Sequence, residues 1–275
     1  WVLAMASITD LVVSTVFYLT ELTLPIPLPY ISSISLLSFL HAVQVSQAYR
    51  NILKENHVRI GWFQGLFAII MMAAGGGSTV CLLRGEPVGI LRNDAFWAVY
   101  GGVYFLTFSN EYFFSLLNGI PQTLLQPILI VADGILRGVA VAKIGVDGVR
   151  LGDIGPGKYV AMLLCGTLCG GGGGIWADAF RLTQHTWSFS TPRVLLAPGV
   201  DLKASFVVAL FYMLSTSEEL FPQGMEHHVL KPIEAQAWSA VLMTSALMYR
   251  MINGQLQSKK AVEISEKTAE KEKDQ

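Results

Sequence analysis

Apolar segments of membrane-spanning length follow one another along nearly the whole chain, and no other feature of the sequence restricts the fold as strongly. A helix that crosses a bilayer needs about 20 mostly apolar residues. Only 14% of the residues are charged, against about 25% in a typical soluble domain. Because lipid offers no hydrogen-bond partners, the backbone of such segments must bond internally as helices. The sequence therefore predicts an all-α integral membrane protein. Its candidate segments are 1–22, 29–49, 61–83, 95–117, 121–144, 159–180, 203–217 and 235–252.

Two glycine-rich stretches indicate an internal repeat. GGGSTVCLLR at 75–84 and GGGIWADAFR at 172–181 lie 97 residues apart, and each places an arginine seven residues after its last glycine. If segment 1–22 is set aside, they fall in the second and fifth of seven segments. Two successive units of three helices point in opposite directions across a bilayer, as in the inverted repeats of secondary transporters. The predicted fold is a seven-helix bundle of two inverted three-helix repeats plus one helix, with an extra N-terminal helix.

The repeat also sets the expected boundaries. The C-terminal stretch is charged and has no packing face, so we expect a solvated or frayed tail. Seven alternating spans place 12 Lys and Arg residues on the side of the C-terminus and 5 on the other. Positive charge favours the cytosolic side, which predicts a cytosolic C-terminus. The predicted units are the N-terminal helix 1–22, the first repeat 23–118, the second repeat 119–218, the final transmembrane helix 219–255 and the tail 256–275.

The glycines within the apolar segments have two interpretations. Each glycine in a helix costs about 1 kcal/mol relative to alanine, so a run of them favours a helix broken beside a pore, as in many transporters. The alternative is that small residues let two helices pack closely. We expect the broken helices, because the two runs occupy matching repeat positions. The glycines concerned are Gly75, Gly76 and Gly77 in the first run, and Gly170, Gly171, Gly172, Gly173 and Gly174 in the second.

Ionisable residues within the segments are the other candidates for function. On insertion scales such a residue costs about 2.5–3.5 kcal/mol, and it usually has a functional role. Asp133 and Arg137 have the i, i+4 spacing of an ion pair, and Asp178 and Arg181 lie three residues apart on one predicted helical face. The alternative is that these groups only neutralise one another or lie at the headgroup level. The candidate pore or gating charges are Arg84, Glu86, Glu111, Asp178 and Arg181.

Other classes of function find little support. A net charge of −1 gives no basic field for nucleic acid. We find no nucleophile with a base, so we expect no catalytic residue, and no His or Cys spacing typical of a metal site. The cysteines Cys81, Cys165 and Cys169 lie in apolar runs, where we expect small buried thiols. No cofactor is expected apart from bound lipid.

Several motifs, in order and spacing, resemble those of the trimeric intracellular cation (TRIC) channels, over about residues 29–252. LLRGEP resembles the end of their second helix, VYFLTFSNEYFF their third helix, and LKAS the start of their sixth. Pro121 stands where a proline opens their fourth helix, and the glycines of the second run resemble the break in their fifth. The motifs stand at 82–87, 103–114 and 202–205. The chain is identified as a distant member of this family.

The resemblance implies a homotrimer with one pore in each protomer, carrying monovalent cations, mainly K⁺, across the endoplasmic reticulum or another intracellular membrane. It adds Lys203, in LKAS, to the candidate pore or gating charges. Animal members bind a phosphoinositide through Lys-Glu-Val-x-Arg in the fourth helix. Here the matching DGILR, 133–137, keeps only Arg137, with Lys143 further on, and these two are the candidate residues for a lipid headgroup. Cys169 replaces a lysine that precedes the glycines of the fifth helix.

Two other functions remain open. A solute transporter would have the same repeat, with an occluded site in mid-membrane. A channel-like subunit that does not conduct would have a plugged pore, and segment 1–22 would contact another chain of a larger complex. A cation channel predicts instead a continuous polar path past both glycine runs.

Overall fold

The computed structural model describes residues 2–28, 31–220 and 230–273, and most of these are helical. Short 3₁₀ turns lie at Lys54–Arg59, Gly89–Arg92 and Glu218–Leu220, and a π-helical turn lies at Val141–Val146. The main elements are α1 Val2–Glu21, β1 Thr23–Leu28, β2 Ile31–Ser35, α2 Leu36–Leu53, α3 Trp62–Leu83, α4 Asp94–Ser109, α5 Glu111–Gly119, α6 Gln122–Ala140, α7 Asp147–Leu151, α8 Tyr159–Ala179, α9 Arg193–Leu196, α10 Val200–Thr216 and α11 Pro232–Lys273.

Within the described part of the chain, three helices are long and apolar enough to cross a membrane. They are Trp62–Leu83, Gln122–Leu151 and Tyr159–Ala179. The other helices pack around them, with α2 against α4 and α6, and α10 against α8 and α11. The architecture is the all-α, membrane-type bundle that the sequence predicts.

The N-terminal helix α1 packs on the long last helix α11. Val16 is buried in a small apolar cluster with residues of α2, α6 and α11, and Trp238 Nε1 lies 3.4 Å from Thr9 Oγ1. This helix therefore belongs to the bundle. Its opposite face leaves Ile8, Leu11 and Tyr18 exposed.

The segment predicted as a helix over 29–49 begins as a β-hairpin. Strands β1 and β2 pair antiparallel, and α2 begins only after Ser35, whose hydroxyl accepts from Ser38 N. Pro25 and Pro27 favour the extended conformation of β1, because proline drives the preceding residue out of the helical region. Within the predicted segment, β2 contains the β-branched residues Ile31 and Ile34, which favour strands. The start of the predicted helix at residue 29 is thus wrong.

The segment predicted over 95–117 is interrupted at Asn110. This residue has φ −124° and ψ 104°, so α4 ends before it and α5 begins after it. Its side-chain oxygen accepts from Phe113 N at 3.0 Å, which is the N-cap role that asparagine favours. A helix break exists in the first repeat, but an asparagine causes it.

The tail 256–275 is not frayed over its described residues. Helix α11 continues from Pro232 to Lys273 as one helix of 42 residues. The tail is rich in glutamate and lysine, which have high helix propensities. The charged side chains are stable in water. The same residue types favour continuation of the helix beyond its apolar part.

Helices α3 and α8 run unbroken through both glycine runs, so the predicted breaks are wrong. The glycines instead bring the two backbones into contact. A Cβ on Gly76 would overlap the carbonyl oxygen of Cys169, and a Cβ on Gly172 would lie 2.5 Å from Gly76 Cα. Real Cβ atoms do not approach other atoms so closely. The structure therefore has the close packing of small residues that was the alternative interpretation.

Residues that lie 97 positions apart make equivalent contacts at this crossing. Gly76 of α3 faces the carbonyl oxygen of Cys169, as Gly173 of α8 faces the carbonyl oxygen of Met72. The two helices cross antiparallel, because the residue number rises along one helix as it falls along the other. This local two-fold pattern is what the repeat leads us to expect here. For the remaining helices the inverted repeat stays a prediction.

Trp176 of α8 packs against α3 at the crossing. Its Nε1 donates to Thr79 Oγ1 of α3 at 2.7 Å, and these positions are also 97 residues apart. Thr79 in turn donates to the carbonyl oxygen of Gly75 at 2.7 Å. The indole ring stacks on Phe180 with the centroids 5.4 Å apart. An interhelical hydrogen bond of this kind contributes roughly 1 kcal/mol in a membrane.

Replacing Gly76 by alanine tests the crossing. We expect Gly76→Ala to lower the free energy of unfolding by about 1–3 kcal/mol, because its methyl group has no space between the backbones. Gly77→Ala is the matched control, since its Cβ would meet only Ile144 Cδ1 at 4.0 Å. We expect this control to leave stability unchanged or raise it by up to about 1 kcal/mol. Thermal unfolding in detergent, followed by tryptophan fluorescence, measures both, and equal losses would contradict the packing.

Candidate functional site

A large cavity lies beside the glycine crossing, between α2, α3, α4, α6 and α8. Its volume is about 700 Å³. The exposed residues Ser33, Gly89 and Asn93 line it near the hairpin, so we call it the hairpin-side cavity, and the exposed residues Lys143, Gly174 and Arg250 also border it. Gly76 and Gly77 form part of its wall. Because these glycines carry no side chains, the crossing itself leaves the space open.

A second cavity of about 720 Å³ lies near the opposite end of α3. We call it the loop-side cavity, because residues of the loop that follows α8 line it, including Arg181 and Gln184. This loop is tied to the first turn of α3 by a hydrogen bond from Gln64 Nε2 to the carbonyl oxygen of His185, at 2.9 Å. The two cavities therefore open at opposite ends of α3.

The two cavities share lining residues. Gly171, Gly174, Ala177 and Asp201 border both of them. Three of these are glycine or alanine, so only a thin wall separates the cavities at this level. The one ionisable side chain among the four is Asp201.

Asp201 belongs to a cluster of alternating charges from three helices. Arg137 of α6 contacts Asp133 through Nε at 3.0 Å and Nη2 at 2.6 Å, which realises the predicted i, i+4 pair. Arg137 Nη1 also reaches Asp201 Oδ1 of α10 at 3.3 Å, and Arg250 of α11 pairs with Asp201. We call Asp133, Arg137, Asp201 and Arg250 the charge cluster, and all four line the hairpin-side cavity.

His41 and Gln44 of α2 face this cluster. His41 Nε2 lies 3.6 Å from Asp133 Oδ1, and His41 Nδ1 lies 2.6 Å from the Tyr100 hydroxyl of α4. Gln44 Nε2 lies 3.4 Å from Asp133 Oδ2. Sequence reasoning missed His41, because it considered histidines only as metal ligands and no local spacing joins positions on separate helices.

Four of the six predicted pore or gating charges lie outside both cavities. Arg84 pairs with Glu86 and donates to the carbonyl oxygen of Ile144 at 2.7 Å. Lys203 is exposed on α10. Neither cavity is lined by Arg84, Glu86, Glu111 or Lys203.

Glu111 holds α5 against α2. Its side chain is 70% exposed and pairs with Arg50, which is 2% exposed. Arg50 also donates to the carbonyl oxygen of Thr107, and its guanidinium lies 3.9 Å from the centre of the Phe114 ring. Arg50 is a functional-looking buried charge that the sequence analysis missed, since its partners are distant in the sequence. These contacts of Arg50 hold the start of α5, next to Asn110, against α2.

Asp178 and Arg181 both border the loop-side cavity, but they do not share a helical face. Helix α8 ends at Ala179, and Arg181 has φ +49°. Asp178 instead binds Arg193, whose Nε lies 2.7 Å from Asp178 Oδ1. The expected common face is therefore wrong, because the helix ends between the two residues.

The two candidate headgroup residues line the hairpin-side cavity. Arg137 is held by two aspartates, while Lys143 is exposed on the π-helical turn. The turn follows α6, where Gly145 approaches the backbone of Gly166. Turns of this kind often occur at functional sites. No local pattern in the sequence predicts this π-helical turn.

The three cysteines are free and buried, as expected. Among the residues that the structure describes, no group of three or more His, Cys, Asp or Glu side chains is arranged to hold a metal ion. The fold and the cavities together define a membrane helix bundle with two polar-rimmed cavities that meet near its centre.

Comparison with solved structures identifies this fold. A trimeric intracellular cation channel from C. elegans in the absence of Ca²⁺ superposes with a TM-score of 0.60 at 20% identity, over 87% of this chain and 97% of that chain. A trimeric intracellular cation channel from C. elegans with bound Ca²⁺ gives 0.55 at 17% identity, over 87% and 98%. A structure of TRIC counter-ion channels in calcium release gives 0.58 at 16% identity, over 86% and 99%. No family model and no curated protein matches the sequence. The chain has the all-α fold of the trimeric intracellular cation channels.

Neutralising Arg137 tests the energetic weight of the charge cluster. We expect Arg137→Gln to lower the free energy of unfolding by about 2–4 kcal/mol, because it leaves Asp133, 4% exposed, without its main partner. Arg193→Gln is the matched control, since Arg193 is 88% exposed in its pair with Asp178. We expect it to cost less than about 1 kcal/mol. Denaturant unfolding in detergent measures both, and similar losses would contradict the assignment.

Proposed function

We propose that the chain is a distant TRIC channel that conducts monovalent cations, mainly K⁺, along a path formed by the two cavities of each protomer. The observation that carries this proposal is the pair of cavities that open at opposite ends of α3 and share Gly171, Gly174, Ala177 and Asp201. The likeness in fold to cation channels supports it.

The lining of the two cavities suits a hydrated cation. A cation in a membrane needs oxygen atoms in place of part of its water shell. The mouth at the hairpin offers the hydroxyls of Ser33, Ser35 and Ser38, and the centre offers the carboxylates of Asp133 and Asp201. Buried polar groups at this depth are expensive, and they persist where they line a water-filled space.

Arg137 controls the narrow part of this path. Its guanidinium bridges Asp133 and Asp201 beside the thin wall between the cavities. A fixed positive charge in a pore raises the barrier for cations, and a bridge across the path holds it closed. Opening then requires Arg137 to release Asp201, which Arg250 still neutralises.

The homotrimer and the membrane follow from the resemblance, and the orientation follows from the distribution of Lys and Arg. The chain assembles as a homotrimer in the endoplasmic reticulum or another intracellular membrane, with its C-terminus in the cytosol. A lipid headgroup binds at Lys143 in preference to Arg137, since Arg137 already holds two carboxylates. The exposed face of α1, with Ile8, Leu11 and Tyr18, contacts lipid or another subunit.

A channel-like subunit that does not conduct is the second candidate. The charge cluster supports it, because Arg137 and Asp201 stand at the wall between the cavities and would close the path permanently if they never separate. A solute transporter would instead use the hairpin-side cavity as an occluded site.

Recording in planar bilayers separates these functions. With purified protein and asymmetric KCl, we expect single-channel currents that reverse near the K⁺ equilibrium potential. Silence from protein shown to be intact and trimeric would contradict the channel and favour the subunit that does not conduct. Saturable solute exchange without unitary currents would identify a transporter.

Arg137→Gln tests the controlling charge in the same recordings. We expect cation conductance or open probability to rise at least about threefold, because the variant removes a positive charge beside the path. Arg92→Gln, at an exposed arginine that lines neither cavity, serves as the control and should change the current little. An unchanged current in the first variant would remove Arg137 from the path.

A further inference from the structure

We propose that the hairpin-side cavity contains a proton-binding site at His41, and that protonation of His41 suppresses cation passage. The inference rests on the proposed function for its readout in current, although the proton site itself does not depend on it. The elements that carry it are a histidine inside a solvent-connected cavity and the aspartate that holds the controlling arginine.

Water reaches His41 from the hairpin side. Ser38 lies one helical turn before His41 on α2, and both line the cavity that opens at the exposed residues Ser33 and Asn93. The side chain of His41 is 12% exposed. A proton from the aqueous phase on this side therefore has a path to the imidazole ring.

The neighbours of His41 fix its neutral tautomer. The carboxylate of Asp133 only accepts hydrogen bonds, so the nitrogen that faces it, Nε2, carries the hydrogen. Nδ1 then accepts from the Tyr100 hydroxyl at 2.6 Å. On protonation Nδ1 gains a hydrogen, and the Tyr100 oxygen becomes its acceptor. The site holds either protonation state with the same partners.

Protonation changes the balance at Asp133. Its Oδ1 lies 3.6 Å from His41 Nε2 and 3.0 Å from Arg137 Nε, so an imidazolium competes with the guanidinium for one carboxylate oxygen. With neutral His41, the two aspartates and two arginines of the charge cluster sum to zero. The added proton makes the group positive at the narrow part of the path.

The charged and titratable groups around His41 come from several elements. Helix α4 contributes Tyr100, and α6 contributes Asp133 and Arg137, which link the group to Asp201 of α10 and Arg250 of α11. Helix α3 contributes the Cys81 thiol, and the π-helical turn contributes Lys143, to the same cavity. The positive charges of Arg137, Arg250 and Lys143 already outnumber the negative charges of Asp133 and Asp201. One more positive charge, on His41, therefore repels cations.

The test compares current at pH 7.5 and pH 5.5, applied to each side of the membrane separately. We expect acid on the side of the hairpin to reduce the native current at least about fivefold, and acid on the other side to act less. His41→Gln should conduct with no acid suppression, because the amide does not take up a proton. His57→Gln is the matched control, since His57 lies outside both cavities near Glu111, and it should retain the suppression.

Suppression that persists in His41→Gln, or its absence from the native protein, would overturn the proposal. A second measurement does not depend on current or on the variant's stability. In ¹⁵N-histidine NMR spectra of the native protein in nanodiscs, we expect a His41 signal that changes from the neutral to the protonated form as the pH falls. A His41 that stays neutral down to the lowest pH at which the protein remains folded would overturn the proton site. A titrating His41 without current at any pH would leave the site intact and overturn the proposed channel.

Discussion

The backbone contact between α3 and α8 is the constraint on which the rest of the structure depends. Gly76 and Gly173 each face a carbonyl oxygen of the other helix, so neither position accepts a side chain. The crossing holds α3 and α8 together, and its glycines line the two cavities beside it. In lipid, where apolar side chains gain little from leaving the solvent, such close packing and a few interhelical hydrogen bonds hold helices together.

Several charged side chains lie buried around this crossing, and the free-energy cost of their desolvation is not justified by a gain in stability. A buried ion pair loses much of its Coulomb attraction to desolvation, and well-packed apolar residues are often as stable. Yet Asp133, Arg137, Asp201 and Arg250 join three helices, and Asp201 borders both cavities. Arg50 and Glu111 differ, because they fasten α5 to α2 away from the cavities. The position of the charge cluster, more than its strength, indicates function.

Much of the fold could be predicted from patterns that are local in the sequence. Contacts between residues that are distant in the sequence could not. Apolar segment length predicted the helices, and the i, i+4 spacing predicted the pair of Asp133 and Arg137. The glycines were misread, because low helix propensity in water says little about a helix held on both sides by protein. The break at Asn110 had a readable signal in its capping side chain. The contacts of His41 with Tyr100 and Asp133 had none, since they join three separate helices.

The central claim is that water fills the space beside the glycine crossing, and the native cysteines test it without any substitution. Cys81 lines the hairpin-side cavity, whereas Cys165 packs within the apolar core. The measurement is labelling of the folded protein in membranes by a small, charged, membrane-impermeant thiol reagent, with each cysteine quantified by mass spectrometry. We expect Cys81 to react and Cys165 to stay unmodified. Protection of Cys81, or equal labelling of Cys165, would contradict the water-filled cavity.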